Sequence, residues 1–367
     1  MISLGSLLDG WHEFKCGKQK KTDVQEFSFT LEDSLFRLHE DLKNETYQHG
    51  KYSEFYVHDP KLRHIHKACV RDRIVHHVVM RAIEPFFEKS FIFDSYSSRT
   101  DKGTHRAVKR FRKFAWKLSQ NNTKTVWILK CDIRRFFDSV DHAILKQLIR
   151  KRIHCDKTLR LIDEIIESFF TNQDRGIPLG NLTSQLFSNI YLNLLDQFAK
   201  RTLRTKFYIR YADDFVLLSR DREELEYMLG YIHDFVRESL KMELHPKKVI
   251  FQKWHQGVDF LGYISFPRHA ILRTKTKRRM LRKMQQRKNL LQEKRITPDS
   301  YNQSLQSYLG ILKHASSRNL KIQMRLFSEN FNSKASSSIP SPTPPPVDQK
   351  HQFHRARPEK QRSPEKA

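Results

Sequence analysis

The sequence has no run approaching the roughly 18 apolar residues that a membrane span requires. Its opening stretch, MISLGSLLDGWHEF, has neither the basic segment nor the long apolar stretch of a secretory signal. These two absences argue against a membrane protein and predict a cytoplasmic one. Cysteine is scarce: Cys16, Cys69, Cys131 and Cys155 are scattered, with no CxxC pair and no histidine at knuckle spacing. That excludes a disulfide framework and a zinc knuckle and leaves reduced, structural thiols. Acidic residues are few beside the basic ones, 41 against 68, for a formal net charge of +27. Solubility needs far less, so a polyanionic partner is implied. Proline is concentrated at one end, seven of thirteen lying in 333–367. With few large apolar residues there to offset chain entropy, that segment is expected to be a disordered basic tail, either solvated or touching a partner.

The chain is long enough, at 367 residues, for several subdomains with proper cores. In REELEYMLGYIHDFVRESL (222–240), Leu225, Met228, Leu229, Ile232, Phe235, Val236 and Leu240 recur at helical spacing, which predicts an amphipathic helix. VWILKCDI (126–133) is short, apolar and β-rich, and the following FFDSVDHAILKQLIRKR turns helical, with Asp141 or Ser139 as the cap. A strand therefore ends at Asp132. From residue 273, RTKTKRRMLRKMQQRKNLLQEKR reads as a strongly basic helix, and YNQSLQSYLGILKHASSRNLK as a second helical stretch. Such a charged face is either solvated or a surface for a phosphate backbone. The paired histidines His64, His66, His76 and His77 invite a metal reading, but on basic elements they are expected to face solvent or phosphate.

FYIRYADDFVLLSR (207–220) sets two adjacent carboxylates, Asp213 and Asp214, inside an apolar run. Burying like charges unpaired costs roughly several kcal/mol per ion, so a cation belongs there. The stretch predicts a β-hairpin with Ala212, Asp213 and Asp214 near its tip. If its strands neighbour the one ending at Asp132, three acids converge. Oxygen ligands of this kind suit magnesium, and a pair of such ions can activate a hydroxyl and stabilise a leaving pyrophosphate. Phe136 and Phe137 follow close behind Asp132.

The ordered set CDIRRFFDSVDH, GIPLGNLTSQLFSNIYLNLLD, YADD, LHPKK and VDFLGY resembles the motifs of a reverse transcriptase over about residues 55–325. The resemblance implies an α+β right-hand polymerase fold. Its parts would be an N-terminal extension (1–50), fingers (51–125), a palm of antiparallel sheet and helices with interleaved fingers segments (126–266), a helical basic thumb (267–332) and the tail. Asp132, Asp213 and Asp214, with the Ile133 carbonyl, would hold two Mg2+ ions, for which Mn2+ could substitute. Phe137 matches the bulky gate against a ribose 2′-hydroxyl. Lys61 and Arg63 would clasp the triphosphate, with Arg73 either joining them or structural. Leu179, Gly180 and Gln185 would line the nucleotide site. Lys247 or Lys248, the latter preferred, would stand near pyrophosphate. Phe260, Leu261 and Gly262 match the primer grip, while Asp138 and Asp141 are read as a helix cap and its neighbour.

In IPLGNLTSQ, Leu179 stands where many reverse transcriptases carry Gln. That departure is similar to the reverse transcriptases of diversity-generating retroelements, which copy a template-repeat RNA into cDNA with errors at adenines. The expected partners are then template RNA, the cDNA/RNA hybrid, dNTPs and a basic homopentameric accessory variability determinant, with no membrane. The competing readings are a group II intron-like or defence-associated reverse transcriptase, a nucleotidyl cyclase, and an inactive RNA-binding scaffold.

Overall fold

The computed structural model describes residues 2–59 and 61–335. The elements run α1 (Leu4–Lys15), α2 (Thr22–Phe29), α3 (Leu31–Lys43), β1 (Ser53–Val57), β2 (Arg63–Lys67), α4 (Val70–Glu88), α5 (Thr104–Leu118) and β3 (Trp127–Asp132). They continue with α6 (Phe136–Ser139), α7 (His142–Arg150), α8 (Asp156–Glu167), α9 (Leu182–Gln197), β4 (Tyr208–Tyr211), β5 (Asp214–Ser219) and α10 (Arg222–Glu238). The chain then forms β6 (Ile250–Lys253), β7 (Val258–Phe260), β8 (Tyr263–Ser265), β9 (Ala270–Leu272), α11 (Thr274–Gln292), α12 (Pro298–Leu312) and α13 (Arg318–Ala335). Among the described residues two compact units emerge: the chain up to Met280 with Gly310–Ser317, and Leu281–Leu309 with Arg318–Ala335.

In the first unit the central layer is an antiparallel sheet of order β4-β5-β3-β6. Phe215–Ser219 of β5 are buried on both pleat faces, so the strand reads as a continuous apolar run rather than an alternation. On β5 lies α10, through the apolar face foreseen in the sequence: Leu225, Ile232 and Val236 are buried. α9 is buried nearly all round and packs against α4 and α7, which explains its long apolar composition. Two smaller sheets flank this layer in sequence, the β1-β2 hairpin and the β7-β8-β9 meander.

The helix expected after Asp132 is broken. Val140 turns extended, Asp141 caps α7 by accepting from the Ile144 N–H at 3.1 Å, and Ser139 instead donates back to the Arg135 carbonyl. The second thumb-like stretch is likewise split, α12 ending at Leu312 and α13 beginning at Arg318. α13 carries on through Ala335, so the tail expected from 333 starts inside a helix; residues 336–367 lie outside the described residues. The second unit has a core of its own, with Met284, Tyr301, Leu305, Leu320 and Met324 buried and the Tyr301 hydroxyl donating to the Phe327 carbonyl. Among the described residues no helix is long and apolar enough to cross a membrane.

Candidate active site

The three carboxylates foreseen from the sequence meet at one end of the central sheet. β3 pairs with β5 in a register that sets Asp132 opposite Asp214, and β4 returns into β5 through a two-residue turn carrying Asp213. Ala212 adopts a left-handed φ of 52°, which lets so tight a turn close. The Ile133 N–H donates to the Asp213 carbonyl at 3.3 Å, tying the turn to the end of β3. Ile133 itself is buried.

Crowding three acids has the electrostatic consequence expected. Burial, followed by the neighbouring Asp213 and Asp132, pushes the Asp214 carboxyl up to about 6, against the pull of Lys130. Asp213 is also raised, by burial first and by Asp132 second, while the charges of Lys248 and Arg63 act the other way. Lys248 donates to Asp132 Oδ1 at 2.6 Å, so of the two lysines left open by the sequence it is Lys248 that reaches the acids; Lys247 is exposed. An all-oxygen donor set in which burial raises Asp213 and Asp214 fits a hard divalent cation.

The other expected residues fall at varying places. Phe137 is half-buried on α6, edge-on to Phe136, and its carbonyl accepts from the Ile177 N–H at 2.8 Å. Arg63 lies on β2, with its charge felt at Asp213, whereas Lys61 is exposed in the hairpin turn. Leu179 is half-buried and its carbonyl accepts from the His66 N–H. Gly180 has a φ of 117°, and a Cβ there would stand 2.9 Å from Ile65 Cγ2, so glycine permits the close seating of β2 on this loop. Gln185 is exposed on the first turn of α9.

Phe260 is fully buried against Phe111, leaving Leu261 and Gly262, both at positive φ, at the hairpin turn. Arg73, left open between two roles, is tied to Asp23 and lies over Phe14. One expectation needs correction: His76 faces neither solvent nor phosphate. It is buried, within 3.1 Å of His49 and 3.2 Å of Thr183, and burial holds its imidazole neutral, near 3.

Sequence reasoning missed Arg210 and Asp196, both fully buried. Arg210 grips both Asp196 oxygens, at 2.8 and 2.6 Å, and donates to the Ala212 carbonyl at 3.2 Å inside the acid-bearing turn. Tyr208 and Asn189 complete the cage. The signal available was a charge inside each of two apolar runs, YIRY and NLLD. Lys130, two residues before Asp132 and so on the same pleat face, was also passed over.

Residues 57–265 match the family model described as Reverse transcriptase (RNA-dependent DNA polymerase). The chain belongs to the reverse transcriptase family. Among curated relatives, Protein YkfC of Escherichia coli is 27% identical over 241 residues, covering 55% of this chain and 63% of that protein. Group II intron-encoded protein LtrA of Lactococcus lactis is 23% identical over 305 residues, covering 63% of this chain and 49% of that protein. The chain thus spans about half to under two thirds of these reverse transcriptase relatives. Telomerase of Candida albicans, solved with a fragment of telomeric RNA, aligns with a TM-score of 0.48 at 13% identity, over 80% of this chain and 57% of that one.

Proposed function

We propose that the chain is an RNA-directed DNA polymerase of the diversity-generating type, copying a template-repeat RNA into adenine-mutagenised cDNA. The observation that carries the polymerase reading is the convergence of Asp132, Asp213 and Asp214 at one sheet end, with Lys248 on Asp132. In this reading the β4-β5-β3-β6 sheet is the palm, the β1-β2 hairpin belongs to the fingers, and α11–α13 supply a basic thumb. The domain boundaries, and the primer grip at Phe260, Leu261 and Gly262, are taken over from the sequence expectations. The three carboxylates, with the Ile133 carbonyl, would hold two Mg2+ ions, which when bound supply Lewis-acid activation of a primer 3′-hydroxyl and charge stabilisation at the α-phosphate. Lys248 would take up negative charge on departing pyrophosphate, Arg63 and Lys61 would orient the triphosphate, and Phe137 would refuse a 2′-hydroxyl. A basic homopentameric accessory protein completes the proposed set of partners. Because both proteins are cationic, RNA or local acidic patches must lie between them.

Asp213→Asn tests the polymerase. Primer extension on an RNA template is expected to vanish while filter-binding affinity for RNA stays near wild type, since backbone affinity is spread over many Lys and Arg contacts. Extension at the wild-type rate would remove the metal assignment.

The mutagenic part rests on Leu179. A site built on polar contacts rejects wrong substrates by about 10⁴ to 10⁵, against roughly 10 to 200-fold for an apolar difference of one methylene. Leu179 offers no side-chain hydrogen bond, so a mispair leaves nothing unsatisfied. Deep sequencing of cDNA from one defined RNA is expected to show errors opposite adenine that fall in Leu179→Gln. Equal spectra would free Leu179 of this role, and a faithful wild type would favour the second reading. That reading, a group II intron-like reverse transcriptase, draws support from the similarity to LtrA.

A further inference from the structure

Away from the carboxylates, the β1-β2 hairpin gathers a second set of ligand-type side chains. Its register places Glu54 opposite His66 and Tyr56 opposite His64, so all four side chains stand on one face of the ribbon. Glu54 Oε2 lies 3.0 Å from His64 Nε2, Glu54 Oε1 lies 3.8 Å from His66 Nε2, and the two imidazole centroids are 4.3 Å apart. The three ligand atoms are mutually within 4.8 Å. A tetrahedral zinc site with bonds of about 2.0–2.1 Å has ligand atoms roughly 3.4 Å apart. Small side-chain rotations close that difference.

We propose that Glu54, His64 and His66 form a binding site for a borderline divalent cation, zinc foremost, which staples β1 to β2. A surface ion pair alone accounts for the arrangement less well. It explains Glu54 with His64 but leaves His66 idle, its Nε2 lying out of hydrogen-bonding range of Glu54. The rings are also held in place. Tyr56 stacks on His64 at 4.5 Å and 8°, and Phe169 stands edge-on to His66 at 4.5 Å.

The hairpin needs such a staple. Every residue of β1 is exposed, and an isolated two-stranded ribbon is marginal in water. β2 is seated on the neighbouring loop, the His66 N–H donating to the Leu179 carbonyl and the Asn181 amide to the His66 carbonyl at 2.8 Å. Among the described residues β1 is held by its ladder to β2 and by the Ser53 hydroxyl donating to the Lys67 carbonyl, both within the hairpin. Two imidazoles and one carboxylate select zinc, cobalt or nickel over magnesium, and three protein ligands leave a fourth position for water. This site therefore differs in chemistry from the all-oxygen cluster, and its occupancy does not depend on the polymerase reading.

The test uses the full chain, stripped of metal by chelator and held in excess Mg2+ to mask the carboxylates, then titrated with Co2+. Wild type and Asp213→Asn are expected to develop the visible bands of four-coordinate cobalt at one equivalent, abolished by Zn2+. His64→Ala and His66→Ala are expected to bind more weakly by over about tenfold, the loss typical even of an outer-shell partner. Zn2+ should also protect the hairpin from limited proteolysis in wild type and Asp213→Asn but not in the histidine variants. Because the hairpin side chains lie outside the core, circular dichroism of the variants should match wild type, and a spectrum showing misfolding would shift the comparison to Glu54→Gln. The proposal is overturned by the absence of bands in wild type, by bands surviving both histidine substitutions, or by bands lost in Asp213→Asn.

Discussion

Asp214 carries a pH signature whose sign follows from its surroundings. Its folded-state carboxyl is raised to about 6, above the about 4 of an unfolded chain, so the folded state binds more protons between those values. Stability without metal must then be greatest below about 4 and fall as pH rises to about 6. Denaturant titrations in chelator are expected to show Asp214→Asn gaining on wild type across that window and holding its lead above it, since asparagine cannot ionise. A difference that stays flat with pH would mean that the folded state does not raise the Asp214 carboxyl. At this scale the sequence was most informative where a residue type clashes with its context: two acids in an apolar strand announce a cation. Lys248 was legible only as one of two, since a strand register and a three-residue helical turn decide which ammonium reaches Asp132.

Among the elements, the β4-β5 turn depends on a helix far from it in sequence. Arg210 reaches from β4 to Asp196 on α9 and to the Ala212 carbonyl, so α9 sets where the turn sits. Removing one partner of a buried pair costs about 3–5 kcal/mol, because the other charge is left uncompensated. Arg210→Met is therefore expected to lower the melting temperature by several degrees, and pairing it with Asp196→Leu to recover part of the loss in a double-mutant cycle. Additive losses would deny the coupling. None of this could be read from strand patterning, which treats an arginine between apolar neighbours as the outward-facing residue. It points inward because a carboxylate from another element waits there. The sequence did offer Asp141 as the cap that starts α7, but not the separate short α6 before it, because both stretches keep helical composition.

For the whole molecule, the excess of 68 basic over 41 acidic residues sets how binding responds to salt. α11 alone carries a series of lysines and arginines and no acidic residue. If binding neutralises about six to ten phosphates, log Kobs against log salt should slope at about −4 to −7 for single-stranded RNA. A slope near zero in a filter-binding series would assign the charge to something other than nucleic acid. The mixed helix-and-sheet class was legible because strand and helix periods alternate up to α10. The two-unit division was not, because it depends on which segments far apart in sequence pack together.

The strand order also governs how the protein is made. β3 is an inner strand whose two neighbours, β5 and β6, are both synthesised after it. During translation its apolar edges stay unpaired until residues beyond 219 have emerged, and Lys248 arrives 116 residues after Asp132. A ribosome stalled in that interval displays a naked β-edge, the template on which chains aggregate. Slow codons or a chaperone-poor host between β3 and β5 should therefore cost soluble yield more than the same pause placed after β6.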